Sequence, residues 1–324
     1  MNKKIKTIVI TGPTASGKTS VAVELSAFFN GEIISVDSRQ VYRGLDIGSG
    51  KDISEYSAGP VPVPYHLIDI VNPSDDYNLM SFCIDAENAL KNIVSRGRLP
   101  FLAGGSALYL NAFLRGYTLP GGPPDTDLRN SFQGKSSSEL LDIMENEFPE
   151  LFENFREKNN RTRIIRAMEK ARGVDNTIAP FAEKLSPLVI GVYRTRKEIH
   201  RRIEARLDER LKNGMIEEVE CLHNNGLSWE RLDYFGLEYR YLARYLQKKI
   251  SFAEMRENLF IRIRQFAKSQ DVWFRKMERE GLVIHWIAPG NKEKYFELIE
   301  DFLADKPLPT PEIQISKINY GEMP

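Results

Sequence analysis

A glycine-rich segment near the N-terminus is the clearest carrier of chemistry in the sequence. It fits the phosphate-loop pattern G-x-x-x-x-G-K-[ST] with Gly12, Pro13, Thr14, Ala15, Ser16, Gly17, Lys18 and Thr19. The N–H groups of such a loop converge on phosphate oxygens, and the helix that follows adds a favourable dipole. We predict that the loop binds a diphosphate, with Lys18 neutralising phosphate charge and the Thr19 hydroxyl ligating Mg²⁺. The motif leaves the reaction open, because ATPases, small-molecule kinases and diphosphate-releasing transferases all use it.

An acidic residue, Asp37, follows the next strand-like run, which covers residues 33–36. A nucleotide hydrolase holds magnesium with an acid in such a position, and a kinase also accepts one. Asp37 followed by Ser38 is equally suitable for a turn or a helix cap. These residues alone leave the three interpretations open.

Seven segments, taken in order, resemble the signatures of the tRNA dimethylallyltransferase family. They are the phosphate loop and residues 37–48, 65–69, 104–109, 161–169, 202–206 and 264–275. The resemblance covers about residues 7–287, and it is the ordered set, not any one short match, that makes it specific. Two places depart from the family pattern: Ser269 stands where Arg is usual, and Gly236-Leu237-Glu238 stands where G-Y-[KR]-[EQ] is frequent. The departures put tRNA contacts at these two places in question.

The resemblance implies transfer of a dimethylallyl group from dimethylallyl diphosphate to the N6 amine of the adenosine 3′ to the tRNA anticodon, with release of diphosphate. It implies Mg²⁺ as cofactor, and it makes Asp37 the general base, Thr19 the metal ligand and Arg206 a further cation on the leaving diphosphate. The spacing agrees, since Arg202, Arg206 and Arg210 share one face of a predicted helix. The target base must leave its stack to enter such a site.

The resemblance also implies a tRNA-binding surface. The matching residues are Asp37, Ser38, Arg39, Gln40, Ser106, Arg129, Thr162, Arg163, Ile164, Ile165, Arg166, Arg264 and Gln265. Arg163, Arg166 and Lys170 fall on one side of a predicted helix, which suits a phosphate backbone. Contacts of this kind position a substrate without reading its sequence.

Other functions share parts of this pattern. An adenylate isopentenyltransferase has the phosphate loop and Asp37 but acts on a free nucleotide, which needs neither the basic segment at 156–172 nor the late Arg264-Gln265 helix. A small-molecule kinase or NTPase predicts phosphoryl transfer from ATP or its hydrolysis. A pure tRNA-binding module predicts binding without turnover.

The elements that must position these residues alternate in the first third of the chain. Short apolar runs rich in β-branched residues predict strands at 6–11, 32–36, 65–71, 99–103, 185–193 and 282–287. Helices are predicted at 18–29, 79–95, 196–213, 215–225, 238–248, 252–279 and 292–303. The pattern indicates an α/β fold, a P-loop NTPase-like parallel sheet flanked by helices.

Proline and glycine at 119–124 mark a boundary, after which residues 125–181 have the character of polar helices with no strand-like run. Because a strand pattern returns at residue 185, we predict a helical insertion in one α/β domain. The predicted core is 1–123 with 184–306, the predicted tRNA-binding insertion is 124–183, and residues 307–324 are predicted to be a disordered tail.

Charge is balanced overall but unevenly placed. The chain has 45 basic and 45 acidic residues, yet residues 156–172 hold seven Lys/Arg against two acids. Such segregation permits a phosphate-binding face, although solvated amphipathic helices give the same count.

Cysteine content and apolar runs exclude other classes. The two cysteines, Cys83 and Cys221, are too few for a disulfide scaffold or a four-cysteine zinc site. No run reaches the length of a membrane span, and the apolar run at 8–10 is too short for a signal peptide. We therefore expect a cytoplasmic protein that does not enter the membrane, and we expect it to be a monomer.

Overall fold

The chain has 324 residues, and its computed structural model describes residues 4–116, 118–119, 124–173, 176–177 and 181–318. The chain divides into two compact units. The first consists of Met1–Leu114 with Lys184–Pro324, and the second is Arg115–Glu183. The second unit interrupts the first in sequence, and it starts at residue 115 where the sequence indicated residue 124.

The strands of the described ranges are β1 (Ile5–Thr11), β2 (Gly31–Ser35), β3 (Tyr65–His66), β4 (Leu99–Gly104), β5 (Thr118–Leu119), β6 (Asn176–Thr177), β7 (Leu185–Val192) and β8 (His285–Ile287). Those of the first unit form one parallel six-stranded sheet in the order β3-β2-β4-β1-β7-β8. The predicted fold class is confirmed. Two strands are shorter than predicted: β3 ends at His66, followed only by an isolated bridge at Val71, and β8 begins at His285.

The helices are α1 (Lys18–Phe28), α2 (Leu79–Ser95), α3 (Ala107–Arg115), α4 (Thr126–Ser131), α5 (Ser137–Glu147), α6 (Pro149–Asn154), α7 (Arg161–Arg172), α8 (Arg196–Lys212), α9 (Met215–Asn224), α10 (Trp229–Phe235), α11 (Leu237–Leu246), α12 (Phe252–Arg279) and α13 (Lys292–Leu303). Every helix predicted for the first unit is present within two residues of its predicted ends. The sequence did not predict α3 and α10, which are too short for apolar periodicity to stand out. In the part of the chain that the structure describes, no helix is both long and apolar enough to cross a membrane.

The carboxyl ends of the central strands form the edge from which the phosphate loop starts. Thr11, the last residue of β1, pairs with Gly104 of β4 and with Gly191 of β7. Consecutive residues of β1, including Ile8 and Ile10, are fully buried, because helices cover both faces of the sheet. The loops that follow β1, β4 and β7 therefore begin side by side, where open α/β sheets bind their ligands.

The second unit has a hydrophobic core of its own, to which α4, α5 and α7 contribute. Fully buried members are Leu140, Met144, Ile164 and Met168. Its short strands β5 and β6 pair with each other in antiparallel fashion. The prediction that residues 125–181 hold no strand is therefore wrong at β6, since two residues are too few to show an alternating pattern.

The C-terminal segment is the largest departure from prediction. Residues 307–324 were predicted to be disordered, but the 3₁₀ turn at Ile315–Lys317 packs on α12. Ile315 is buried, Ser316 N donates to Glu278 Oε2 at 2.7 Å, and Arg275 Nη1 donates to the carbonyl of Ile318 at 2.5 Å. These partners lie on a helix that ends well before the segment begins, so no local pattern around residue 315 indicates them. Residues 319–324 lie outside the described residues.

Candidate active site

The phosphate loop leaves β1 after Thr11 and enters α1 at Lys18. Gly17 has φ of 92°, and only glycine adopts this left-handed conformation without strain. Ala15 is also left-handed, with φ of 63°. The first N–H groups of α1 have no partner within the helix, so the loop and the helix terminus together offer donors to an anion. The geometry agrees with the phosphate loop predicted from the sequence.

Arg202, which the sequence placed on one helix face with Arg206, and Arg194, which it did not single out, fix the outer side of the loop. Arg194 Nε donates to the carbonyl of Ser16 at 2.7 Å, and Arg202 Nε donates to that of Ala15 at 2.7 Å. These two hydrogen bonds hold the loop carbonyls on the outside. Arg194 also lies 3.9 Å from Glu198 Oε1, whereas Arg202 donates only to the neutral carbonyl among its contacts in the described residues, so its positive charge stays available near the loop.

Gln270 closes the loop from the other side. Its Oε1 accepts from Thr14 N at 2.8 Å, and its Nε2 donates to the carbonyl of Gly105 at 2.8 Å. The side chain thus joins the loop after β1 to the loop after β4. The sequence carried one sign of this role: Gln270 shares the buried face of α12 with Ala267 and Phe274, and a buried amide needs partners.

Two cations lie deep beside the loop. Burial, followed by the charge of Arg206, lowers the pKa of Lys18 from 10.5 to about 8. Burial, followed by the charge of Arg210, lowers the pKa of Arg206 to about 10. Arg206 Nη2 donates to Thr14 Oγ1 at 2.5 Å. Both shifts mean that positive charge is held here at a cost, which an anionic ligand would remove.

Asp37 lies just beyond the carboxyl end of β2. Its Oδ1 accepts from Arg39 N at 2.8 Å and from Gln40 N at 3.3 Å, which is the turn chemistry that the sequence allowed. Within the described residues Oδ2 has no hydrogen bond, and the residue lines a cavity. Gln40 is held in turn by Ser35 Oγ at 2.8 Å and by the carbonyl of Gly50 at 2.9 Å. The turn therefore uses only Oδ1 and leaves Oδ2 available to accept a hydrogen bond or a proton from a ligand.

The segment after Asp37 is fastened by two charged side chains that the sequence did not reveal. Glu218 of α9 accepts from Ile47 N at 2.5 Å and from Gly48 N at 3.1 Å. Lys51, almost fully buried, donates to Asp46 Oδ1 at 2.7 Å. Buried charges with complete partners hold a unique conformation, so residues 46–51 form a rigid wall.

Two cavities meet at the phosphate loop. One, of about 350 Å³, is lined by Asp37, Ser106 and apolar side chains such as Phe266. The other, of about 760 Å³, opens along α8. Residues common to both are Lys18, Thr19, Asp52, Arg206 and Arg210. A ligand held by the loop can therefore be reached from two sides. All predicted catalytic residues, Asp37, Thr19 and Arg206, line the smaller cavity.

The residues predicted to contact tRNA in the first unit fall into two groups. Ser38, Arg39, Gln40 and Ser106 line the smaller cavity together with Asp37. Arg39 lies over the ring of Phe235, 5.5 Å from its centroid.

The second group, on α12, does not line either cavity. Gln265 is exposed and accepts from Arg262 Nη1 at 2.9 Å. Arg264 lies over the ring of Phe260 at 5.1 Å, and its Nε is buried with no hydrogen-bond partner among the described residues.

The residues predicted to contact tRNA in the second unit are mostly occupied by partners within that unit. Arg129 Nε and Arg166 Nη1 donate to Glu169, at 2.6 and 3.0 Å. Burial opposes ionisation of Glu169, but hydrogen bonds from these two arginines outweigh it and lower the pKa of the carboxyl. Arg163 pairs with Glu157.

The rest of that predicted segment divides between core and surface. The side chains of Ile164 and Ile165 lie in the hydrophobic core of the unit, and Thr162 is exposed. Thr162 and Arg163 are therefore the predicted tRNA-contacting residues that lie on the exposed surface near the start of α7.

Comparison with known proteins agrees with this geometry. The IPP transferase family model matches residues 40–277, and an isopentenyl transferase model matches residues 5–59. A tRNA dimethylallyltransferase 1 of Syntrophus aciditrophicus is 44% identical over 298 residues, covering 90% of this chain and 97% of that protein. One from Geotalea daltonii is 46% identical over 280 residues, covering 86% and 90%. The crystal structure of the full-length tRNA isopentenylpyrophosphate transferase of Bacillus halodurans is 32% identical, covers 93% of this chain and 96% of that one, and superposes with a TM-score of 0.67.

Proposed function

Because this chain belongs to the IPP transferase family, we propose that it transfers a dimethylallyl group from dimethylallyl diphosphate to the N6 amine of the adenosine 3′ to the anticodon in tRNA. The observation that carries the proposal is that the phosphate loop and the Asp37 carboxylate line one cavity. The same cavity is also lined by Phe235, Leu237, Ile263 and Phe266, apolar side chains that suit a prenyl chain and that phosphate chemistry alone does not need.

The proposed reaction breaks the bond between the first allylic carbon and a diphosphate oxygen and forms a bond from that carbon to N6. Negative charge grows on the departing diphosphate, where Lys18, Arg206 and the loop N–H groups stabilise it. The adenosine amine is a weak nucleophile, since its lone pair is delocalised into the ring. Asp37 orients this amine, and Oδ2 accepts the proton that N6 loses.

The donor set fits Mg²⁺, which takes hard oxygen ligands and keeps several waters and substrate phosphate oxygens. Thr19, Asp52 and Glu55 line the larger cavity beside the loop, and Glu55 Oε2 is buried with no hydrogen-bond partner among the described residues. Burial, followed by the charge of Asp52, raises the pKa of Glu55. The described residues hold no cluster of three or more His, Cys, Asp or Glu side chains that would form a protein-only site. We assign Thr19 as the ligand; a bound ion would add positive charge at the leaving diphosphate.

Substrate tRNA is proposed to use both units. In the first unit, Ser38, Arg39, Gln40 and Ser106 surround the place where an extruded base would lie. In the second, Thr162 and Arg163 are exposed on α7. One chain supplies every group that the reaction needs, so we expect the monomer to be active.

The test is nucleoside analysis of tRNA after incubation with the protein, dimethylallyl diphosphate and Mg²⁺. We expect a prenylated adenosine in tRNA and an equal amount of released diphosphate. AMP offered as acceptor in a parallel reaction should remain unmodified. ATP consumption without prenylated nucleoside would favour a kinase or NTPase, and prenylated AMP would favour an enzyme of free nucleotides.

A further inference from the structure

Arg210 is a buried cation for which the mechanism above has no use. It lies on α8, one turn after Arg206, and it is 9% exposed. One helical turn is about 5.4 Å along the axis, and both arginines line both cavities at the phosphate loop. A diphosphate carries oxygens on two phosphorus atoms, so guanidinium groups one turn apart can bind it together.

The polar contacts of Arg210 are incomplete. Its Nη2 is buried without a hydrogen-bond partner among the described residues, and the nearest carboxylate oxygen, Oδ2 of Asp52, is 3.6 Å away. That separation is too long for a hydrogen bond. A buried guanidinium N–H left unsatisfied is destabilising, so an acceptor oxygen on a bound anion would stabilise this group.

The surroundings hold Arg210 but do not satisfy it. Glu238 lines the same cavity, and its charge interacts with both Arg210 and Arg206, although burial, the largest influence, raises the pKa of Glu238. Gly50 lies against the guanidinium: a Cβ at Gly50 would come within 2.2 Å of Arg210 Nη2. The side chain therefore has a resting place beside Gly50, in the wall of the cavity that it shares with Lys18 and Thr19 of the loop.

We infer that Arg210 is a second arginine of the diphosphate site, which leaves its resting place against Gly50 and Asp52 and donates hydrogen bonds to the diphosphate of the prenyl donor. The identity of the donor rests on the proposed function, but the affinity for diphosphate does not. Arg206 donates to Thr14 of the loop, whereas among the described residues Arg210 makes no side-chain hydrogen bond that would have to break. Arg210 therefore offers its N–H groups to the ligand without loosening the loop.

The direct test measures binding of inorganic diphosphate to the whole chain by calorimetry, with Mg²⁺ present. We expect Arg210→Met to raise Kd by about tenfold to hundredfold, because a charge-assisted hydrogen bond is lost. Arg210→Lys keeps the charge but not the forked arrangement of donors, so its Kd should lie between those of the unaltered protein and Arg210→Met. Arg201→Met is the matched control, since Arg201 is exposed on the same helix and lines neither cavity; its Kd should equal that of the unaltered protein.

A purely structural role for Arg210 predicts another result. Arg210→Met would then lower the unfolding temperature and leave the diphosphate Kd of the folded protein unchanged, which would overturn the inference. If Arg210→Met does not fold, Arg210→Lys decides, because an unchanged Kd in that variant would also count against a forked contact.

Prenyl transfer is measured separately. If Arg210→Met weakens diphosphate binding but the unaltered protein forms no prenylated nucleoside, only the proposed function is rejected. If the unaltered protein transfers the prenyl group and Arg210→Met leaves the diphosphate Kd unchanged, only this inference is rejected.

Discussion

The two units of this protein hold their cations in opposite ways. At the sheet edge, Lys18, Arg202 and Arg206 reach neutral acceptors of the phosphate loop, so their charge is not cancelled. In the helical unit, Arg163 and Arg166 are paired with carboxylates. The same residue types therefore serve different ends. A cation without a carboxylate partner can bind a small anion directly, whereas a cation that is paired with a carboxylate must first give up that carboxylate to bind another anion. The partner of a cation, more than the number of cations, determines the charge that a substrate meets.

The largest effect that would test this contrast is expected at Asp37. Asp37→Asn keeps an oxygen that accepts from Arg39 N and Gln40 N, so the turn should survive while the base is lost. We expect kcat to fall by roughly 10²- to 10⁴-fold, with tRNA affinity nearly unchanged, in single-turnover and filter-binding assays. An equal loss of binding and chemistry would remove the general-base role.

In the helical unit, the largest effect is expected at Glu169, which holds Arg129 and Arg166. Glu169→Gln should lower the free energy of unfolding of this unit by about 2 kcal/mol, because a hydrogen-bonded buried carboxylate is lost. Its pKa is lowered in the folded state, so this stabilisation is complete above the ordinary carboxyl pKa of 4.5 and is lost as the pH falls through the lowered folded value.

Urea denaturation at neutral and acidic pH checks both statements. The unaltered protein should lose more stability on acidification than Glu169→Gln does. Parallel curves for the two proteins would show that Glu169 contributes nothing to the pH dependence.

A smaller effect is expected from the titration of Lys18. With a pKa of about 8, its charged fraction drops about tenfold between pH 7 and pH 9. Affinity for inorganic diphosphate should fall by about the same factor over that interval. Lys18→Arg stays charged and controls for ionisation of the ligand, so its affinity should not fall. A flat profile in the unaltered protein would mean that Lys18 does not contact diphosphate.

The smallest effect is expected at the surface of α7. Arg163→Gln should weaken tRNA binding only a few-fold and reduce the slope of log affinity against log salt by about 1. Glu157→Gln removes the competing carboxylate, so it should strengthen binding at low salt. Fluorescence titration over a range of salt concentrations measures both, and opposite signs in the two variants are required if Arg163 meets a phosphate.

The sequence predicted the parts of the site that are local. Residues 12–19 and Asp37 each follow a strand directly, so strand pattern and motif together placed them at one sheet edge. Gln270 and Glu218 escaped prediction because their partners are far away along the chain: Gln270 binds Thr14, and Glu218 binds the amides of residues 46–48. Such contacts depend on the way in which the long helices pack against the sheet. The apolar periodicity of the sequence does not reveal this packing.

Charge counting could not choose between a phosphate-binding face and solvated helices for a related reason. Residues 156–172 carry excess basic residues in sequence, but Arg172 pairs with Glu147 of the neighbouring helix α5. The packing of α7 on α5 supplies an acid that a window along the sequence assigns elsewhere. The same reason explains the tail, since Ile315 is buried in a turn that packs on α12, and this packing is not visible along the sequence.

The pairing of β5 with β6 has a consequence for how this molecule can be rebuilt. Thr118 lies opposite Thr177 in an antiparallel ladder, so the chain enters and leaves the helical unit through neighbouring points, about 5 Å apart. An inserted unit whose two ends are adjacent can be deleted, and the gap in the chain can be bridged with a few glycines. It can also be replaced by a unit of different length without distorting the sheet into which it is inserted. The helical unit can in this way be exchanged between members of the family while the sheet edge with its phosphate loop stays unaltered.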